Sequence, residues 1–81
     1  MSNRDRIDLV EKTLRVLEAL AASKEGCTVT ALAEQLGLVK SSTFRILYSL
    51  KEHGYVEQES ARRSYRLSRK VGALARRRST R

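Results

Sequence analysis

Two runs of apolar residues at helical spacing, parted by one glycine, constrain this chain more than anything else in it. Val29, Leu32, Ala33 and Leu36 recur at three- and four-residue intervals, which puts them on one side of a helix. Thr28 stands just ahead, where its hydroxyl can accept a hydrogen bond from one of the unpaired N–H groups that open a helix. Gly37 stands just behind, where a left-handed residue ends one. Thr43, Ile46, Leu47 and Leu50 then repeat the spacing, and Gly54 closes the second run. Ala33 is small enough to let the second helix cross closely at a steep angle. Helix, tight turn and helix make a helix-turn-helix.

If Thr43, Ile46, Leu47 and Leu50 face inward, the outer side of the second helix carries Lys40, Ser41, Ser42, Phe44, Arg45, Tyr48 and Ser49, with no acid until Glu52. Such a face does not repel phosphate, and it suits a helix held in a DNA groove. Arg45 is the candidate for direct readout, through a bidentate contact to guanine, with a phosphate contact as the simpler alternative. Lys40 and Ser41 lie at the positive end of the helix dipole and are expected on phosphate. Ser42 either bonds a phosphate or base edge or merely helps start the helix. Phe44 has no hydrogen bond to offer but can lie against a thymine methyl; otherwise it packs at the edge of the first helix or at a protein contact. Tyr48 can reach a phosphate with its hydroxyl or sit at the domain margin. Ser49 and Thr28 complete the expected DNA-facing set.

The distribution of charge divides the chain. Its net charge is +8, yet residues 1–60 sum to −1 and residues 61–81, with no acid, to +9. Two alternating runs, residues 55–59 and 64–68, flank Ser60, Ala61, Arg62 and Arg63 and read as a hairpin. Val56, Tyr65 and Leu67 should pack inward, leaving Arg62 and Arg63 at the tip to enter a minor groove or meet phosphates. Ser68 can cap a last helix running from Arg69 to about Arg78, with Val71, Leu74 and Ala75 as a thin apolar stripe. A division of labour follows, in which the second motif helix reads bases while the basic quarter grips backbone. The alternative is that the basic end is only a solvated tail.

Upstream, residues 1–6 are polar and expected to form a flexible arm. Asp8 and Glu11 have the spacing of a capping box, so the first helix is expected to begin at Asp8. It carries two apolar stripes: Ile7, Val10, Leu14, Leu17 and Ala21 form one, and Leu9, Val16 and Leu20 another beside it. A helix apolar around most of its circumference needs cover on more than one side, so Ile7, Leu9, Val10, Val16 and Leu20 are expected at an interface with a second copy. Complete burial within one copy is the other reading. A strand residue or two is expected near Cys27.

Taken in order, these pieces resemble the N-terminal DNA-binding domain of IclR-type bacterial transcriptional regulators. The resemblance rests on Val10 to Leu14 with Leu17 and Leu20, on Leu32, Ala33 and Glu34 with Gly37 and Leu38, on Lys40 to Leu47, on Gly54 to Val56, and on Tyr65 to Leu67. It covers roughly residues 7–75. It implies a mainly α fold with a small β-hairpin, a winged helix-turn-helix: a three-helix core and two-stranded wing over 7–68, then a basic linker helix and tail over 69–81. It implies a repressor-type regulator that dimerises through its first helix on a double-stranded DNA operator, and an effector-binding domain that these 81 residues do not include. The chain departs from the family at Val39, where proline is usual, at Thr43, where valine or a similar residue is usual, and in a wing turn without glycine. Val39 is a poor cap, and the Thr43 hydroxyl must bond a carbonyl one turn back.

Other chemistry finds little support. There is no Ser/His/Asp set, no glycine-rich phosphate loop and no paired acids in a plausible cleft, so an enzyme is not expected. Cys27 has no second cysteine and His53 no ligand partner at metal spacing; neither a cofactor nor a metal is expected. One cysteine, no secretory signal and no run of about 18 apolar residues fit a reducing cytoplasm and no membrane. With 41% hydrophobic residues, the chain is one small domain near the lower limit for independent folding. A protein-interaction winged helix, or non-specific nucleic-acid binding through the arginine-rich tail, is the alternative to sequence-specific DNA binding.

Overall fold

The computed structural model describes residues 3–77, with side chains from Asp8 onward. In chain order they form α1 (Asn3–Ala21), α2 (Val29–Leu36), α3 (Lys40–Glu52), β1 (Val56–Glu59), β2 (Ser64–Leu67) and α4 (Arg69–Arg77). The helix-turn-helix is therefore α2 and α3, and the hairpin is the wing of a winged helix-turn-helix.

Local chemistry sets the element ends. The Thr28 hydroxyl accepts from the Ala31 N–H at 3.1 Å and opens α2. Gly37 closes it with φ +67°, and the Leu38 N–H reaches back to the Ala33 carbonyl at 2.9 Å, as in a left-handed helix cap. Nothing lies within 4 Å of a Cβ built on Gly37, so glycine is needed there for its backbone freedom and not for space. Val39 precedes α3 without any side-chain cap, and the buried Thr43 hydroxyl donates to the Val39 carbonyl at 3.0 Å. The hydroxyl is thereby satisfied inside the fold, as a buried polar group must be.

One core joins every element except α4. Val16, Ala19 and Leu20 of α1 pack with Leu32 and Ala33 of α2, Ile46 and Leu47 of α3, Val56 of β1 and Tyr65 of β2. The wing is antiparallel, with Val56 opposite Leu67 and Gln58 opposite Tyr65, so the alternating residues Val56, Tyr65 and Leu67 share the inner face. The strand residue expected near Cys27 is present as a bridge: the Cys27 N–H donates to the Tyr65 carbonyl at 2.9 Å, and the Tyr65 N–H donates back at 2.7 Å. Gly26, with φ +88°, makes this approach feasible, since a Cβ there would lie 2.8 Å from the Tyr65 carbonyl oxygen.

Two expectations for α1 need correction. The helix starts at Asn3, ahead of Asp8, so residues 3–6 are helical in backbone and Asp8 pairs with Lys12 at 3.2 Å instead of capping. Its two apolar stripes also have different fates. Val16 and Leu20, expected to face a second copy, are 0% and 2% exposed, because α1 lies across α2, α3 and β2 and the chain's own core takes that side. Leu9 overhangs α3 and is exposed there, and Val10 and Leu14 of the other stripe are exposed as well. The Ile7 side chain lies outside the described residues.

Candidate nucleic-acid interface

The N-terminal ends of α2 and α3 and the wing enclose a groove of about 870 Å³. It gathers six of the expected DNA-facing residues, namely Thr28, Lys40, Ser41, Phe44, Arg62 and Arg63. Thr30 and Gln58 line it too and were not singled out from the sequence. Alternation could have flagged Gln58, which follows Val56 by two and faces the same way. Thr30 gave no comparable signal. The Lys51 ammonium donates to the Gln58 side-chain oxygen Oε1 at 3.2 Å and ties the wing to the last turn of α3. Among the described residues, no acidic side chain lines the groove, which leaves it attractive to a polyanion.

The remaining expected residues divide. Ser42, Arg45 and Ser49 lie on the opposite flank of α3 and share a hollow of about 360 Å³ with Leu9 and Thr13 of α1. Tyr48 is outermost, between the flanks, and packs against Phe44 with ring centroids 6.2 Å apart. A hydrogen bond to Glu52, with that carboxylate's charge, raises the Tyr48 phenol above its ordinary pKa and keeps it protonated. The phenol expected on a phosphate thus has an acid, Glu52, one turn further along the same helix.

Residues 9–60 match the IclR helix-turn-helix domain. The chain belongs to that family. It is 42% identical over 55 residues to an uncharacterized HTH-type transcriptional regulator of Haemophilus influenzae, covering 68% of this chain and 20% of the relative. It is 39% identical over 61 residues to the DNA-binding transcriptional repressor YiaJ of Escherichia coli, covering 75% and 22%. Among solved structures, an IclR transcriptional regulator from Alicyclobacillus acidocaldarius superposes with TM-score 0.80 at 28% identity, over 90% of this chain and 30% of that one. The chain thus spans less than a third of each of these relatives. The IclR-type family is one of DNA-binding transcription regulators, not of enzymes.

Against that family pattern, the glycine-free wing turn has a specific solution. Arg63 takes φ +56°, the left-handed conformation a glycine would adopt at less cost. The wing cations are also partly engaged: Arg62 lies 3.9 Å from Glu59, and Arg66 lies 3.5 Å from Glu57 across the hairpin. These are exposed pairs, which phosphate can readily replace. In this IclR-type domain α4 is joined at its first turn. Ser68 caps it by accepting from the Lys70 N–H at 3.2 Å, while the Lys70 ammonium donates to the His53 carbonyl at 2.9 Å and lies 4.5 Å from the centre of the Tyr55 ring. Among the described residues, no helix is long and apolar enough to cross a membrane.

Proposed function

We propose that residues 7–68 are the sequence-specific double-stranded DNA-binding domain of a cytoplasmic bacterial transcription repressor that acts as a homodimer, with 69–81 as its linker helix and basic tail. The first part of α3 enters the major groove, Arg45 reads a base, and Lys40, Ser41 and the wing arginines hold the backbone. The observation that carries this reading is the acid-free groove in which the starts of α2 and α3 meet Arg62 and Arg63. The pairing surface is the uncovered side of α1, with Val10 and Leu14. Two copies would read half-sites about one helical turn, or a multiple, apart.

Selection from a pool of random duplexes tests it, and a palindromic consensus is the expected result. Arg45→Ala should then cost roughly 1–3 kcal/mol on the selected duplex and relax preference at one base pair. Replacing Arg62 and Arg63 by Ala should weaken selected and scrambled duplexes alike. If Arg45→Ala also weakened both equally, the assignment of readout to Arg45 would be wrong.

A further inference from the structure

The two large apolar side chains exposed on α3 are Phe44 and Tyr48. They lie one turn apart, are 49% and 55% exposed, and meet at 6.2 Å with ring planes tilted by 32°. The two rings lie side by side along the outer face of α3. Phe44 also forms part of the groove wall beside Lys40 and Ser41, on the approach a phosphate backbone would take. An apolar surface within a cationic groove needs an apolar counterpart. Among the base edges of the major groove there is one, the C5-methyl of thymine; guanine, adenine and unmodified cytosine present polar groups there. Tyr48 does not itself line the groove; its ring lies against Phe44, with the Glu52 carboxylate one turn further along α3.

We propose that Phe44 and Tyr48 act as one reader of pyrimidine 5-methyl groups, Phe44 touching the methyl and Tyr48 bracing it from behind. This rests on the reading of α3 as the DNA-contacting helix, and it makes the preferred ligand a duplex with thymine, or 5-methylcytosine, at a fixed position in each half-site. Discrimination comes from removing one methyl group from water against a ring already in place, which is worth about fourfold in affinity for each methyl touched.

The test uses the duplex selected from the random pool, resynthesised with deoxyuridine in place of thymidine at one position at a time. Unaltered protein should lose about fourfold at one position per half-site and nothing elsewhere. Phe44→Ala should bind uracil and thymine duplexes equally, while Tyr48→Phe, which keeps the ring, should still distinguish them. Where cytosine is placed at the sensitive position, its 5-methylation should recover part of the loss. Phe44 is exposed, so its truncation leaves the core intact, and affinity for a scrambled duplex serves as the check on folding. Selective binding indifferent to uracil at every position would overturn the methyl reader and leave DNA recognition standing, as would sensitivity that persists in Phe44→Ala. Failure to select any duplex would remove the DNA reading itself, and the methyl reader with it.

Discussion

Helices α1 and α3 each leave large apolar side chains uncovered, Leu9, Val10 and Leu14 on one and Phe44 and Tyr48 on the other, but their polar neighbours differ. On α1 the described cations are engaged within the domain: Lys12 pairs with Asp8, and Arg15 donates to the Leu36 carbonyl at 2.6 Å. Glu11 and Glu18 are left at the surface. On α3 the first three turns carry Lys40 and Arg45 and no acid. Apolar exposure therefore marks an interface without naming its occupant, and the sign of the surrounding charge separates a face suited to protein from one suited to a polyanion.

The strongest way to break that contrast is to charge the α1 face. Val10→Asp with Leu14→Asp should give a monomer in sedimentation and lower affinity for a two-half-site duplex by at least about 100-fold, because linked binding is lost, with helix content unchanged. Unaltered mass and affinity would remove the distinction between the faces. With both measured in a Val10→Asp background that removes pairing, Val16→Ala should lower stability by about 2 kcal/mol in urea unfolding, whereas Leu14→Ala should stay within about 0.5 kcal/mol; equal losses would mean that the sides of α1 have been reversed. On α3, Lys40→Glu should weaken duplex binding by about tenfold at 0.1 M salt and flatten the dependence of log affinity on log salt by about two. Its urea midpoint should not move. The smallest effect is expected at the wing tip, where Arg63→Gly should raise stability by roughly 0.5 kcal/mol by relieving the left-handed strain while costing one phosphate contact. A fall in stability would show that the arginine side chain supports the turn.

Where a feature depends on a few adjacent residues, the sequence was readable. The Thr28 cap, the left-handed Gly37, the Thr43 bond to Val39 and the inward side of the wing all follow from local hydrogen-bonding needs or period-two alternation. The sides of α1 were not readable, since both stripes are equally apolar and only the placement of α2, α3 and β2 decides which is covered. Nor was the partition of α3 into a wing flank with Phe44 and an α1 flank with Arg45, because spacing places both simply outward. The partner of Arg66 likewise becomes visible only with the hairpin register in hand, whereas Arg62 and Glu59 are three residues apart in the turn.

Gly26, Cys27 and Thr28 are consecutive, and they serve both jaws of the groove at once. Gly26 admits the β2 backbone, Cys27 bonds to it, and Thr28 starts the helix against which α3 is set. The opening between wing and α3 is thus gauged from a single three-residue hinge pin. A side chain at residue 26 would press on the β2 backbone and wedge the jaws apart, altering the calibre of duplex the domain accepts while the side chains that line the opening kept their identity.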